Sequence, residues 1–147
     1  MEKMLELAEN AVEAAKAWGL ELDYSAESLE AVEALAQKIY RANCMLSLPQ
    51  DILDGVANLY GAYLGEVLLR SGLKDLDFAW VKNEEEDEIG IGCESMFAAP
   101  INKVYKRITQ GPYHNLMNFF ECIFGLVIGA VDINDPRLHI ISEDEAG

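Results

Sequence analysis

Basic side chains are scarce in this chain. Lys and Arg number 11 against 26 Asp and Glu, a net charge of −15 over 147 residues. A field of that sign repels nucleic acid and anionic membrane and attracts basic partners. The plain alternative is that acidity serves solubility. Cysteine is scarce too. Cys44, Cys93 and Cys122 are odd in number, widely spaced and form no C-x-x-C. This argues against a disulfide framework or a zinc site and fits a reducing, cytoplasmic compartment.

Histidine is limited to His114 and His139. Nucleophilic catalysis needs a nucleophile, a base and an orienting group within reach. A pairing of Cys93 or Cys122 with His114 has no local motif behind it. No G-x-x-x-x-G-K-S/T or G-x-G-x-x-G run is present to hold a phosphate. Asp132, Asn134 and Glu143 fall at the first, third and twelfth places of a calcium loop, but Pro136 and Arg137 occupy places that need a ligand and a glycine. The expectation is therefore no catalytic residue, no metal, no cofactor and, on balance, no enzyme. Long apolar runs are missing as well. Cys122 to Val131 is too short to span a bilayer. The acids in Met1-Glu2-Lys3-Met4-Leu5-Glu6 do not fit a signal peptide.

What is present suits one folded domain. Apolar residues make up 51% of the chain, and a domain of this size buries about 70% of its extended surface. Met1, Met4, Ala8, Ala11, Ala15 and Trp18 recur at steps of three and four, which predicts a helix ended by Gly19. Leu20 to Tyr24 alternates as an extended piece. Ser25 is placed to cap a second helix whose buried side is Leu29, Val32, Leu35, Ala36, Ile39 and Tyr40. Pro49 suits the start of a third, Asp51 to Arg70, apolar almost all round and so central. Its one interrupted stripe is Asp51, Asp54, Asn58, Gly61 and Gly65. The two glycines cost helix propensity, so something packs closely there.

The middle of the chain reads as β. Asp77 to Lys82 and Ile89 to Cys93 predict two strands around a charged turn, with a third from Ser95 to Ala98. Pro100 opens a short helix to Ile108, and Thr109 to Pro112 is a turn. A last long helix follows from Tyr113 to about Ala130. The predicted fold is α+β, predominantly helical, with a small antiparallel meander packed on the central hydrophobic helix. Residues 1–131 form the domain and 132–147 a partly disordered tail, in which Leu138 to Ile141 could add an edge strand.

Three sets of charges stand out. Glu66 and Glu121 lie in strongly apolar helices, where a carboxylate needs a partner. They either share a cleft or are paired one by one, Glu66 with Arg70 on its own face. Lys103, Lys106 and Arg107 gather on one helical face, either as a phosphate or carboxylate site or as partners of internal acids. The run Glu84, Glu85, Glu86, Asp87 and Glu88 is a solvated hairpin tip or a contact for a basic partner.

Leu59-Tyr60-Gly61-Ala62-Tyr63-Leu64-Gly65-Glu66-Val67 has a characteristic setting. Leu22-Asp23-Tyr24-Ser25 and Ser28-Leu29 precede it. Trp80, Pro100 and Lys103-Val104-Tyr105-Lys106-Arg107 follow it. From about Leu22 to Phe124 this layout resembles a group of small uncharacterised bacterial proteins of unknown function, and it carries no activity with it. In size and charge the chain also resembles immunity proteins that neutralise toxins. The functional expectation is a non-catalytic, acidic protein-binding domain for a basic partner, of immunity or inhibitor type. The alternatives are a small-ligand protein or enzyme with a cleft near Glu66, Glu121 and Lys103/Lys106/Arg107, and a self-associating module such as a homodimer. No nucleic acid or membrane partner is expected.

Overall fold

The computed structural model describes the backbone of residues 2–134 and the side chains of residues 2–127. Five helices and a three-stranded antiparallel sheet follow in the order α1 (Glu2–Lys16), α2 (Leu29–Leu46), α3 (Gln50–Arg70), β1 (Ala79–Asn83), β2 (Glu88–Gly92), β3 (Phe97–Ala98), α4 (Pro100–Gln110) and α5 (Leu116–Asn134). The predicted α+β architecture is the observed one. The last helix, expected to end at about Ala130, continues to Asn134. The edge strand expected at Leu138 to Ile141 lies outside the described residues.

α3 is the axis. From Tyr60 to Leu69 every residue is buried, Glu66 included. α1 lays Met4, Ala8, Ala11 and Ala15 inward, and Met4 and Ala8 pack with Ala62 of α3. Alanine at these steps lets the helices approach closely. The stripe does not extend to Trp18, which is 64% exposed. The helix ends at Lys16, two residues short of Trp18, and the turn that follows is completed by Gly19 at φ +76°.

α2 begins three residues later than a cap at Ser25 would suggest. Ser25 Oγ does accept the Ser28 N–H, at 3.1 Å, but residues 25–28 form a turn leading into the regular helix. Asn43 closes the other end. Its carbonyl accepts from Ser47, which adopts a left-handed φ of +51°. Its side-chain oxygen accepts from Leu48 at 2.9 Å.

The sheet pairs Trp80 with Ile91 and Ile91 with Ala98. These three side chains therefore share one face. That face meets α3 at Gly65, and α4 meets α3 at Gly61. A Cβ on Gly65 would overlap the Trp80 ring, and one on Gly61 would overlap the backbone of Ile101 in α4. The close contacts expected of the glycine stripe are thus an indole and a helix of the same chain. Gly61 and Gly65 are thus covered within the chain, while Asp51, Asp54 and Asn58 of the same stripe stay exposed.

Candidate functional site

Glu66 is held on both oxygens. Oε2 accepts from Trp80 Nε1 at 2.8 Å, and Oε1 accepts from Arg70 Nε at 3.2 Å. The Arg70 guanidinium sits 3.7 Å from the centre of the Tyr24 ring. Tyr24 in turn packs on Tyr63, with 5.0 Å between ring centres. Burial raises the pKa of both phenols, so each keeps its proton at neutral pH. The Tyr24 N–H donates to the Tyr63 oxygen at 2.8 Å, and Tyr63 meets Ser28 Oγ at 2.6 Å. Ser28 spends its own proton on the Ser25 carbonyl. The hydrogen bonds therefore run one way, from Tyr24 through Tyr63 and Ser28 to Ser25. Tyr24, Ser28, Tyr63, Glu66 and Trp80 meet in this one network.

Arg107 is turned inward and only 1% exposed. Its Nε and Nη2 donate to Glu33 Oε2, at 2.8 and 2.6 Å, and Nη2 also reaches Gln37 Oε1 at 2.6 Å. Glu33 Oε1 accepts the Leu116 N–H at 3.0 Å. One carboxylate of α2 thereby ties α4 and the start of α5. Nη1 is enclosed without a hydrogen-bond partner among the described residues. Residues 106 and 107 stand 100° apart on a helix. Arg107 accordingly falls on the core side with Val104 and Ile108, while Lys103 and Lys106 stay half-buried at the surface. The expected single cationic face of Lys103, Lys106 and Arg107 is corrected to two: an internal ion pair and an outer lysine pair.

The acids are divided as well. Glu121 is exposed on α5. Glu66 lines a depression with Trp80 and Arg70, and Lys103 and Lys106 line a different one. The set expected to share a single cleft is thus distributed over separate places. His114 hydrogen-bonds to Lys103 and Gln110, at 3.2 and 2.9 Å, rather than to a cysteine. Cys93 faces Ser95 Oγ at 3.7 Å, and the Ser95 amide lowers its thiol pKa. Among the described residues, no group of three His, Cys, Asp or Glu is placed to hold a metal ion. None of the described helices is long and apolar enough to cross a membrane.

The hairpin acids build a groove. Asn83 Oδ1 accepts the amides of Glu85 and Glu86 at 3.1 and 3.4 Å, which closes the turn and leaves Glu84, Glu85 and Glu86 exposed. Asp87 takes a left-handed φ of +51° and pairs with Lys82 at 3.0 Å. Asp87 and Glu88 then face Asp54 and Asn58 of α3 and Asn102 and Tyr105 of α4 across a groove of about 500 Å³. Gln50 secures one end, donating to Asp54 Oδ1 at 2.9 Å and to the Tyr105 hydroxyl at 3.0 Å. Asp54, Asn58 and Tyr105 are functional candidates that sequence reasoning did not single out. For Asp54 and Asn58 the signal was the polar stripe on α3, which reads as a packing feature until the hairpin is placed beside it; Tyr105 on α4 carried none.

No protein-family model, no curated protein and no solved structure gives a significant match to this chain.

Proposed function

We propose that this chain is a non-catalytic domain that docks a basic protein partner through the groove between the α3–α4 seam and the β1–β2 hairpin. The observation that carries this reading is the convergence of Asp54, Asp87 and Glu88 on one concave surface. Among the described residues a single cation, Lys82, pairs with that set, at Asp87. A groove of about 500 Å³ has room for Lys or Arg side chains, whose stems would lie on Ala57, Ile89 and Ile101 while their heads reach the carboxylates. The net charge of −15 adds long-range attraction that speeds encounter with such a partner. An inhibitor or immunity role, in which the partner is a basic enzyme or toxin, is the form of this function that best fits the charge.

The test is capture from a native lysate with the intact chain and with a Asp54→Asn, Asp87→Asn, Glu88→Gln variant, at low and high salt. One basic protein should be retained stoichiometrically at low salt, released at high salt, and lost with the variant. Equal retention by the variant would take the groove out of the interface. Retention indifferent to salt would remove the electrostatic basis of the reading.

A further inference from the structure

A second depression, of about 310 Å³, opens between β3, the first turns of α4, and α5. Its charged lining is wholly cationic in potential: Lys103, Lys106 and His114, with no carboxylate among the residues that form it. Its apolar lining is Phe97, Phe119 and Ile123. The composition inverts that of the chain, which has more than twice as many acids as bases. Lys16, Arg70, Lys82 and Arg107 each meet a carboxylate, whereas Lys103 and Lys106 meet none among the described residues.

Two half-buried ammonium groups three residues apart on a helix repel one another. Burial, and then Lys106, lower the pKa of Lys103. A surface lysine with nothing to bind ordinarily extends into water. Lys103 is instead drawn across to His114, its Nζ 3.2 Å from Nδ1, and 5.7 Å from the centre of the Phe119 ring. His114 is oriented from its other side, where Nε2 lies 2.9 Å from Gln110 Oε1. An amide oxygen only accepts, so Nε2 carries the hydrogen and Nδ1 accepts from the ammonium. That leaves two of the three Lys103 donors, and all three of Lys106, for a ligand.

We propose that this depression binds a small phosphate monoester with an aromatic or branched apolar body. Its dianionic head sits on Lys103 and Lys106, and its body rests against Phe97, Phe119 and Ile123. Two cations match a dianion better than a carboxylate. When His114 takes up a proton as the head arrives, Nδ1 releases the Lys103 ammonium and donates to the phosphate instead, a third charge-assisted bond. The cavity volume is at the small end of the range for ligand pockets, which favours a compact molecule over a nucleotide or a peptide. This site adjoins the acidic groove at Asn102 but shares none of its charged residues, so its failure leaves the protein-docking reading untouched.

The experiment is an NMR titration of the intact chain with phenyl phosphate, inorganic phosphate, benzoate and benzyl alcohol, following the His114 imidazole and the Lys103 and Lys106 side chains. Phenyl phosphate should saturate all three signals and raise the His114 pKa. Inorganic phosphate should bind about tenfold more weakly for want of the ring contacts. Benzyl alcohol should not saturate the signals. Lys103→Gln and Lys106→Gln should each weaken phenyl phosphate binding by about tenfold or more, and the arginine replacements should restore most of it. Absence of a saturable His114 shift at about 10 mM phenyl phosphate would overturn the proposal in the unmodified protein, whatever the variants do. Benzoate binding as tightly would overturn the phosphate assignment. Inorganic phosphate binding as tightly would overturn the role of the aromatic wall.

Discussion

The indole of Trp80 does two things to α3 at once: its nitrogen donates to Glu66 at 2.8 Å, and its ring lies where a side chain on Gly65 would be. A buried carboxylate and a missing side chain, adjacent in sequence, are thus explained by one residue of the sheet. Gly65→Ala should expel the ring and break the hydrogen bond together. The expected loss is about 1–3 kcal/mol in urea unfolding, with Trp80 fluorescence becoming more accessible to a soluble quencher. A stable Gly65→Ala protein with unchanged quenching would show that the ring is not seated there.

Trp80→Phe separates the two contributions. It keeps a ring against Gly65 but leaves Glu66 Oε2 without its donor. A cost of about 1–3 kcal/mol is expected from the unsatisfied buried oxygen. The additional change Glu66→Gln should recover part of it, because a neutral amide is cheaper to bury than a charge. Additive costs in the two variants would rule out the coupling.

Arg107 should be among the most sensitive positions. Arg107→Met leaves Glu33 charged and shielded from water, which costs about 3–5 kcal/mol. Glu33→Gln in the same chain removes the stranded charge while keeping an acceptor for the Leu116 amide, so the double variant should be more stable than Arg107→Met alone. Chemical denaturation of the four proteins in the cycle measures this directly. A double variant no better than the single one would mean that the pair contributes no coupling.

The acidic groove should behave in the opposite way. Asp54→Asn, Asp87→Asn and Glu88→Gln together should change folding stability by less than about 1 kcal/mol, since the carboxylates are at the surface. The association rate with a basic partner should fall by about tenfold or more at low salt. Stopped-flow mixing at two ionic strengths reads that difference. An unchanged rate would move the interface elsewhere.

His114 offers a pH test. Desolvation, followed by Lys103 and Lys106, lowers its pKa below the ordinary value of 6.5. Lys103, Lys106 and Gln110 are the groups that face it. The unfolded chain therefore takes up this proton more readily than the folded one. The stability associated with neutral His114 is complete above about pH 6.5 and declines as pH falls from there toward the folded-state pKa. Lys106→Gln should move the imidazole midpoint upward in an NMR titration. A downward or absent movement would contradict the placement of Lys106.

The helices and the meander were legible in the sequence because their signals are local. The 3.6-residue stripe of α1, the apolar circumference of α3, and the alternation on either side of Glu84 to Asp87 each state the element that forms. Trp18 misled for a related reason: a stripe can run past the turn that ends its helix. The site was harder to read. The i,i+4 rule put Glu66 beside Arg70, and both are there. Nothing local, however, says that Arg107 lies on the core side or that its partner is 74 residues away in α2. Asp54 and Glu88 are likewise ordinary surface acids until the hairpin is folded onto α3.

The acidic groove has a floor made by the seam of α3 and α4. At Gly61 that seam closes until the α4 backbone at Ile101 occupies the space of a side chain. The depth of the groove is therefore a matter of helix spacing, set about two turns along α3 from Asp54. A methyl group at position 61 would wedge the helices apart and reshape the groove without altering its electrostatic potential. The fold thus separates the control of two properties of recognition. Charge is written on Asp54, Asp87 and Glu88, where sequence drift alters strength, and shape is written on a glycine that a bound partner need never touch.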